Sequence, residues 1–469
     1  MQNPLPTQTL ADWDRTYLWH PFTPMKPWCE NKDIVIIERG DREFLIDTEG
    51  RRYIDGVSSL WCNVHGHCVP ELDAAVKEQL SKIAHSTLLG LSNVPAIQLA
   101  KRLVDLTRAS GLGLDKVFYS DNGSTAVEVA CKMAYQYWHN LGQSTRGKFI
   151  ALQSAYHGDT IGAVSVGGIP IFHHAFKSLT FPVDFVPPPA SSTTLEQIKS
   201  LLTQHPDAYA AIIIEPLIQG AGGMLMHPPQ FLRDLRRLAD QHNTLLIFDE
   251  VLTAFGRTGK MFAAEHAQVT PDLMCLSKGL TAGYMPLGVT MTTQKIFDAF
   301  YVDPNAAEGE NAAKTFFHGH TFTGHPLACA VALASLDLFE KNSLLDHVQS
   351  LQPILQETLQ QAQKSPYVKD ARHLGLITAI DLANTDGTPF PYHWRIGGAL
   401  CTRMRTLEPI RLMMRPLADT LVLMPPLAIS EENLRHLCTG VLKSLEWLPE
   451  ILAEKQNASN PAALPASNP

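Results

Sequence analysis

Five short apolar runs, each followed by polar residues or glycine, constrain the fold of this chain more than any other feature of its sequence. The runs occupy residues 117–119, 149–152, 212–214, 245–248 and 273–276. Amphipathic stretches separate them, and in one of these Phe231, Leu235 and Leu238 share a helical face. Such alternation favours crossover connections and a mostly parallel sheet flanked by helices. We therefore predict an α/β fold with this sheet in a large domain.

The two ends of the chain follow a different pattern, which predicts a smaller α/β domain. Residues 33–37 and 43–46 are typical of two hairpin strands, with turn residues at 39–42 between them. In the C-terminal part, helical stretches alternate with the strand-like segments 376–381 and 420–424. We infer that both termini contribute to one small domain.

The domain boundaries follow from these patterns. Residues 1–75 and 336–453 form the small domain, and residues 76–335 form the large domain between them. The segment 454–469 is rich in Ala, Ser, Asn and Pro and has few apolar residues to bury. This composition is typical of disordered termini, so we predict a disordered tail there.

Charge and cysteine content narrow the class of protein. The chain has 38 basic and 46 acidic side chains, so it lacks the basic excess that a nucleic-acid interface needs. No apolar run approaches the length of a membrane span, and residues 1–10 are too polar for a signal peptide or an anchor. Eight scattered cysteines are not a disulfide framework. We expect a cytoplasmic enzyme with small-molecule substrates and no nucleic-acid or membrane partner.

One cluster, formed by Cys62, His65, His67 and Cys68, has residue types that bind metals. Zinc sites usually combine ligand pairs separated by a longer spacer, which this segment lacks. We interpret the cluster as a turn around Gly66 and predict no metal site.

Chemically active residue types follow all five apolar runs. They occupy positions 121–125, 156–159, 215, 249–250 and 277–279. In open α/β sheets, ligands bind outside the carboxyl ends of the strands. We therefore expect these groups to line one crevice.

Within that crevice, Lys278 and Asp249 suit pyridoxal phosphate. A single lysine is usually a solvated surface residue, but Lys278 lies between an apolar run and Gly279, where the backbone can turn closely around a ligand. An amine that is partly desolvated and near another cation is nucleophilic enough to form a Schiff base. A pyridinium N–H would compensate the buried charge of Asp249 and keep the ring an electron sink. A helix cap or an ion pair is the alternative for Asp249.

Gly123, Ser124 and Tyr156 meet the remaining requirements of this cofactor. Gly123 and Ser124 precede the helix-forming segment 126–137, and the N–H groups and dipole of a helix start attract phosphate. An ordinary helix cap is the alternative. Tyr156 can stack on a planar ring, although an aromatic residue after a strand is more often part of the core.

Three segments resemble the signature of the class III aminotransferases: LLIFDEV at 245–251, FGRTG at 255–259 and SKG at 277–279. The similarity extends over nearly the whole chain except its tail. Within the class, the chain is most similar to the branch that aminates 8-amino-7-oxononanoate in biotin synthesis. The segments that indicate this branch are 19–23, 61–67, 135–138, 156–160 and 317–322.

The resemblance implies fold type I and a homodimer whose active sites lie at the subunit interface. Gly123 and Ser124 would bind the phosphate of pyridoxal 5′-phosphate, and His320 and Thr321 of the partner subunit would complete that site. Tyr156 would lie over the ring, contact cofactor and substrate, and serve in catalysis.

The resemblance also implies that Asp249 pairs with the ring nitrogen, while Lys278 holds the cofactor as an imine and later moves the proton. Trp61, Gly319 and Arg415 match substrate-binding positions, as does Lys278. Arg415 is suited to a bidentate grip on the carboxylate of the substrate. A structural ion pair is the alternative for Arg415.

Two positions leave the amino donor open. The pattern that uses S-adenosyl-L-methionine has Tyr where this chain has Phe22, and a Trp pair where it has Leu60-Trp61. Both positions line the substrate cavity in the family; Phe22 lacks a hydroxyl, and Leu60 lacks a flat surface for stacking. A related branch uses L-lysine, and segments 64–67 and 84–87 are similar to it. S-adenosyl-L-methionine is the family default, and L-lysine is the alternative.

Two further hypotheses concern other functions. The chain could be a class III enzyme for ornithine, 4-aminobutyrate or a similar ω-amine, which its turnover of those amines with 2-oxoglutarate would test. A pyridoxal-binding regulator would need a basic DNA-reading module, and neither terminus offers one.

Overall fold

The computed structural model describes residues 5–189, 191–301 and 314–459. In chain order, the α-helices are α1 (Thr7–Tyr17), α2 (Met25–Glu30), α3 (Ser58–Trp61, a distorted single turn), α4 (Pro70–Lys82), α5 (Val94–Ala109), α6 (Gly123–Asn140), α7 (Ile161–Val166), α8 (Pro170–His173), α9 (Thr194–Gln204), α10 (Pro229–Gln241), α11 (Ala264–Ala267), α12 (Gln294–Asp298), α13 (Pro326–Lys341), α14 (Leu344–Ala362), α15 (Ile396–Met404), α16 (Glu431–Leu445) and α17 (Leu448–Ser459). The strands are β1 (Ile37–Asp41), β2 (Phe44–Asp47), β3 (Arg52–Asp55), β4 (Lys116–Ser120), β5 (Lys148–Leu152), β6 (Val183–Val186), β7 (Tyr209–Ile214), β8 (Ile218–Gln219), β9 (Leu225–Met226), β10 (Leu245–Asp249), β11 (Leu273–Leu276), β12 (Gly288–Thr292), β13 (Val368–Leu374), β14 (Ile377–Leu382), β15 (Arg411–Met413) and β16 (Thr420–Leu423).

A seven-stranded sheet lies at the centre of the fold. Its strand order is β4-β12-β11-β10-β7-β5-β6, in which β12 runs antiparallel to both of its neighbours and the other pairs are parallel. Strands β7, β10 and β11 are buried along their whole length, as is typical of parallel strands with helices on both faces. The predicted α/β architecture is confirmed, and each of the five apolar runs forms a strand of this sheet.

Helices cover the two faces of the sheet, which alternate along each strand. Leu245 and Ile247 of β10 face the layer that contains α6. Leu246 and Phe248 face the opposite layer, which contains α5 and α10. The predicted apolar face of α10 is buried there. This arrangement leaves the carboxyl ends of the parallel strands as the open edge of the large sheet.

The N-terminal hairpin is present, but its first strand is shifted from the predicted position. Strand β1 pairs antiparallel with β2, so residues 39–41 belong to a strand and not to the predicted turn. The connection is short because Arg42 has a φ of 51°, and positive φ values allow two-residue hairpin turns.

Strand β3 joins the two ends of the chain in one sheet. It pairs in parallel with β15, with Asp55 opposite Met413, and the sheet order is β1-β2-β3-β15. A separate sheet, β13-β14-β16, contains the two strands predicted in the C-terminal part. These pairings support a small domain built from both termini, whereas its boundaries at residues 75, 335 and 453 stay a prediction.

Helix α17 continues to Ser459, beyond residue 454, where we predicted the start of a disordered tail. Leu448, Ile451 and Leu452 of this helix are buried. Tertiary packing of this kind stabilises a helix beyond what its local composition indicates. The predicted tail therefore does not begin at 454, and residues 460–469 lie outside the described residues.

Among the residues that the structure describes, no helix is both long enough and apolar enough to cross a bilayer.

Candidate active site

A cavity of about 720 Å³ opens at the carboxyl ends of the parallel strands. Residues that follow each of the five predicted apolar runs line this cavity. The expected grouping of these residues in one crevice is therefore present. The predicted site residues on its wall are Trp61, Gly123, Ser124, Tyr156, Asp249 and Lys278. Other residues from the expected strand-end positions also line it, namely Asn122, His157, Glu215 and Ser277, as do Thr160 and Thr281.

Lys278 begins a 3₁₀ turn directly after β11 and Ser277. Its φ of 40° directs the chain sharply out of the sheet, and its Nζ lies 5.2 Å from the centre of the Trp61 ring. Burial lowers the pKa of the Lys278 ammonium, and the nearby carboxylates of Asp249 and Glu215 partly offset that effect. The structure thus places a desolvated amine at the floor of the cavity, where it loses a proton more readily than a surface lysine.

Asp249 is the last residue of β10, and its side chain is buried. Its Oδ2 accepts a hydrogen bond from His157 Nδ1 at 2.8 Å, and its Oδ1 accepts one from the backbone N–H of Val251 at 3.0 Å. His157 Nε2 is buried and has no hydrogen-bond partner among the described residues. The histidine holds the carboxylate in one orientation, a contact that the sequence did not reveal.

Glu215 is a second buried carboxylic acid in the cavity wall. Its two oxygens accept hydrogen bonds from the backbone N–H groups of Tyr156 and Gly220, at 3.0 and 2.8 Å. Burial raises the pKa of Glu215 to about 7; His157 opposes the shift, and the Asp249 charge adds to it. Its position directly after an apolar run was the available signal, but its role as a support for Tyr156 depends on the folded structure.

Gly123 and Ser124 form the first turn of α6, and the helix start is well capped. The Asn122 side chain accepts a hydrogen bond from Thr125 N at 3.0 Å, while the Thr125 hydroxyl accepts one from Asn122 N at 2.9 Å. This reciprocal pair is a capping box. The cap fixes the first helical turn, so its N–H groups point into the cavity edge as a site for an anion.

Two glycines allow the backbone segments around this helix start to pack closely, because a side chain would not fit at either position. A Cβ on Gly123 would lie 2.6 Å from Val251 Cγ1, and one on Gly158 would lie 2.3 Å from Ser124 Oγ. Gly158 also has a φ of 118°. The Ser124 hydroxyl lies 2.8 Å from the Thr160 hydroxyl. Together these groups form a polar cradle at the start of α6, and their role in binding the phosphate stays a prediction.

Tyr156 extends along the cavity wall between this cradle and Glu215. Its hydroxyl donates a hydrogen bond to Asp159 Oδ2 at 2.5 Å. Burial, followed by the Asp159 hydrogen bond, raises the pKa of the Tyr156 hydroxyl, so the phenol stays protonated. Tyr156 is therefore held at both ends: its backbone N–H donates to Glu215, and its hydroxyl donates to Asp159.

Four predicted site residues do not line this cavity. Gly319 and Thr321 are exposed, and His320 is held by its own chain, with Nδ1 3.5 Å from Asp121 Oδ2. Arg415 is exposed, and its guanidinium makes no hydrogen bond or ion pair with the described residues. Arg415 therefore does not form the structural ion pair that we considered as its alternative role.

The side chains of the cluster at residues 62–68 point to different partners. His65 Nε2 lies 3.0 Å from Ser335 Oγ, and His67 Nε2 lies 3.0 Å from Asp55 Oδ2. Cys62 faces the cavity, whereas Cys68 is exposed. The backbone turns at Gly66, which has a φ of 100°.

The family model described as "Aminotransferase class-III" matches residues 27–445. The chain belongs to the class III aminotransferases. This class III aminotransferase is 48% identical over 456 residues to the adenosylmethionine-8-amino-7-oxononanoate aminotransferase of Geobacter sulfurreducens, a match that covers 94% of this chain and 98% of the relative. It is 46% identical over 460 residues to the protein of that name from Aquifex aeolicus, covering 94% and 97%.

Solved structures give the same fold. The crystal structure of adenosylmethionine-8-amino-7-oxononanoate aminotransferase from Methanocaldococcus jannaschii matches with a TM-score of 0.89 and 40% identity, covering 94% of this chain and 99% of that one. An amine transaminase from an uncultivated Pseudomonas species, solved with pyridoxal phosphate bound, matches with a TM-score of 0.83 and 32% identity, covering 92% and 97%. The predicted fold type I architecture is confirmed.

Class III aminotransferases depend on pyridoxal 5′-phosphate, and the cavity of this aminotransferase fits that cofactor. Gly123, Ser124, Gly158 and Thr160 line the cavity at the start of α6, where backbone N–H groups and hydroxyls suit a phosphate. The buried carboxylate of Asp249 faces the same cavity as the desolvated amine of Lys278. The structure therefore brings together the groups that phosphate, ring nitrogen and aldehyde each require.

Proposed function

We propose that this enzyme transfers an amino group to the ketone of 8-amino-7-oxononanoate, which gives 7,8-diaminononanoate for biotin synthesis. The observation that supports this substrate most strongly is the near full-length similarity to relatives named for it, up to 48% identity. We propose S-adenosyl-L-methionine as the donor by family default. The reaction then consists of two half-reactions with ping-pong kinetics.

We propose that Lys278 is the residue that holds the cofactor and moves the proton. Pyridoxal phosphate, when bound, supplies an electron sink that stabilises the negative charge left after loss of the α-proton. The lowered pKa of Lys278 favours the free amine, which can accept that proton as a general base. The nearby Asp249 and Glu215 carboxylates favour its protonated form afterwards, so the same group can return the proton.

Asp249 would hold the proton on the ring nitrogen. Its Oδ2 is already oriented by His157, and a carboxylate in a buried site gains from a charged N–H partner. Gly123 and Ser124 would bind the phosphate at the start of α6, and Tyr156 would cover the ring. These roles rest on the geometry of the cavity and on the resemblance of the motifs.

The substrate would contact the outer part of the cavity. Trp61 lies beside Lys278 and would cover the aliphatic part of the substrate. The Arg415 guanidinium has no partner within the described part of the chain, which suits a substrate carboxylate. Arg415 follows β15, which runs parallel to β3, and therefore leaves that sheet on the same side as the segment that leads to Trp61. Gly319 would contribute from the partner subunit.

We infer that the enzyme is a homodimer in which His320 and Thr321 of the partner subunit complete the phosphate site. Large apolar side chains of this chain are exposed, including Leu89 and Phe317 at 89% and 76%. Exposed apolar surface of this kind is typical of subunit interfaces. The segment 319–321 does not reach the cavity of its own chain, which is consistent with a role in the neighbouring one.

We place the enzyme in the cytoplasm. All eight cysteines lie within the described residues and are unpaired, which is typical of proteins in a reducing compartment. The acidic net charge of −8 is typical of a soluble metabolic enzyme without a nucleic-acid partner.

The test is the absorbance spectrum of the bound cofactor after the purified enzyme is mixed with one donor and no acceptor. Conversion by S-adenosyl-L-methionine alone, followed by amination of 8-amino-7-oxononanoate, is the expected result. Conversion by L-lysine alone would assign the other donor, a result that the structure keeps open because Leu60 lines the cavity where the default pattern has Trp. Turnover of ornithine or 4-aminobutyrate with 2-oxoglutarate, and none of 8-amino-7-oxononanoate, would refute the proposal.

A further inference from the structure

Trp61 lies at the end of a turn with an unusual backbone. Ser58, Ser59 and Trp61 have φ values of 51°, 59° and 65°, a region that favours glycine and that other residues occupy only when the surrounding structure holds them there. The turn places Leu60 and Trp61 on the cavity wall. Trp61 is only half-buried, so core packing alone does not hold it. A strained turn at a functional wall requires a specific support.

A chain of hydrogen bonds that begins at Asp55 supports the turn at residues 58–61. Asp55 is fully buried, and its Oδ1 and Oδ2 accept hydrogen bonds from the N–H and the hydroxyl of Ser59, at 2.8 and 3.0 Å. His67 Nε2 lies 3.0 Å from the same Oδ2, and His67 Nδ1 lies 3.1 Å from Asn63 Nδ2. The Asn63 amide is oriented because its Oδ1 accepts a hydrogen bond from Gly66 N at 2.7 Å.

This arrangement defines the tautomer of His67. Since Asn63 Oδ1 faces the Gly66 N–H, Asn63 Nδ2 must donate to His67 Nδ1, which is therefore an unprotonated acceptor. The proton of the neutral ring lies on Nε2, and it is donated to Asp55. His67 thus connects the Asp55 carboxylate with the Asn63 amide. Each side-chain polar atom of Asp55, His67 and Asn63 in this hydrogen-bond chain has a partner.

Arg257 holds the same turn from the other side. Its guanidinium is buried and has no carboxylate partner among the residues that the structure describes; it donates to Pro425 O at 2.6 Å, to Asn63 O at 2.9 Å and to Ser58 Oγ at 3.3 Å. The Ser58 hydroxyl donates in turn to Met424 O at 2.6 Å. A planar guanidinium can reach several acceptors at once, which a lysine cannot. Arg257 therefore joins the turn to a loop of the large sheet and to the C-terminal part of the chain.

We propose that His67 is a positioning residue that holds Trp61 against the substrate beside Lys278. It acts through the turn and does not touch the reacting atoms. The inference rests on the proposed function only for the identity of the substrate; the support of Trp61 is independent of it. Loss of the support would move a wall of the cavity, and small displacements of positioning groups lower catalytic efficiency by large factors.

The test is a double-mutant cycle between His67→Phe and Trp61→Ala. In the wild-type background, His67→Phe is expected to raise the KM for 8-amino-7-oxononanoate by roughly tenfold or more, with a smaller change in kcat. In the Trp61→Ala background, the same substitution is expected to change the KM by less than about twofold, because the residue through which it acts is gone. His67→Gln, which keeps one donor and one acceptor, is expected to keep the KM for 8-amino-7-oxononanoate close to the wild-type value.

His65→Gln is the matched control. His65 lies two residues away and is buried, but its Nε2 contacts Ser335 and not the turn, so its substitution is expected to lower stability without changing the KM. If His67→Phe does not fold, His67→Ala is used in its place, since its smaller side chain cannot crowd Asp55. Thermal unfolding of every variant is measured beside the kinetics.

The inference is refuted if the two substitutions have independent effects on kcat/KM, or if His67→Phe lowers only the unfolding temperature. The cycle is measured on the donor half-reaction as well, through the spectral change of the cofactor. A wild-type enzyme that does not aminate 8-amino-7-oxononanoate would contradict the proposed function, while the donor half-reaction would still decide the role of His67.

Discussion

At the scale of single residues, two adjacent buried acids, Asp249 and Glu250, have separate tasks. Asp249 faces the cavity and His157. Glu250 points away from the cavity, where its oxygens accept hydrogen bonds from the N–H groups of Ala263 and Ala264 at 2.7 and 2.8 Å. Asp249 contacts the site, whereas Glu250 holds a loop. The amide variant of Asp249 is therefore expected to lower activity, and that of Glu250 to lower stability.

Asp249→Asn is expected to lower kcat about 100-fold or more, with a change of only a few degrees in the unfolding temperature. An amide can still accept the hydrogen bond from His157, but it cannot stabilise a proton on the ring nitrogen. Glu250→Gln is the control, and it is expected to lower the unfolding temperature while folded enzyme keeps its kcat. An Asp249→Asn enzyme that is unstable yet fully active per folded molecule would make Asp249 a structural residue.

Glu215 predicts a pH dependence of stability. Burial raises its pKa from 4.5 to about 7 in the folded chain, so between these pH values the folded state binds more protons than the unfolded state. Stability contributed by this group is therefore complete below pH 4.5 and is lost as the pH rises to 7, by on the order of 3 kcal/mol.

The corresponding experiment measures the free energy of unfolding of wild type and Glu215→Gln by urea at pH 5 and pH 8. The variant loses one hydrogen-bond acceptor and is expected to be less stable at pH 5, but its stability should fall less between the two pH values. An equal fall in both proteins would show that Glu215 is ionised in the folded enzyme at pH 5.

At the scale of secondary-structure elements, Gly123 sets how closely the start of α6 packs against the loop after β10. Gly123 is the first residue of the helix, where alanine would normally be the better helix former. A Cβ there would meet Val251 at 2.6 Å, so Val251 or the helix start must shift. The glycine therefore keeps the first turn of α6 close to the loop after β10.

Gly123→Ala is expected to weaken binding of pyridoxal phosphate by about tenfold, because the amide groups of the first turn lose their orientation. Titration of the apoenzyme with the cofactor measures this affinity. Gly398→Ala in α15 is the control, since the nearest atom to its added Cβ would be 3.8 Å away, and it should leave the affinity unchanged. Unaltered affinity in Gly123→Ala would mean that the phosphate binds elsewhere.

At the scale of the whole molecule, the proposed dimer divides each active site between two chains. A Lys278→Ala homodimer is expected to lack both activity and the absorbance of the covalently bound cofactor. A His320→Ala/Thr321→Ala homodimer is expected to be impaired by weak phosphate binding. Neither chain contains a complete set of site residues.

Refolding the two variants together in equal amounts is expected to restore about a quarter of wild-type activity. Half of the dimers would be mixed, and each mixed dimer would have one of its two sites intact. Wild-type chains refolded with Lys278→Ala chains serve as the control for refolding yield. If mixing restores no activity, residues 320 and 321 act within their own chain or not at all.

Local sequence patterns determined the strands of the large sheet and the polar groups at their carboxyl ends. Apolar runs and the breaks after them are properties of neighbouring residues, so the strands of the large sheet and the polar groups at their ends could be predicted. The same patterns singled out Lys278, Asp249 and Gly123. The hairpin was also predicted, but the position of its first strand was wrong, because the φ of Arg42 depends on the pairing of the finished strands.

Only the tertiary structure decided how the site is supported. His157 and Asp249 are 92 positions apart, and Arg257 and Ser58 are 199 apart, so no local pattern links them. The sheet order, in which the antiparallel β12 lies between β4 and β11, brings the start of α6 and Lys278 to the same cavity. Such contacts depend on which strands pair and which faces pack together. Neighbouring residues in the sequence determine which side chains lie at the end of a strand. The folded structure decides which distant residues contact those side chains and hold them in place.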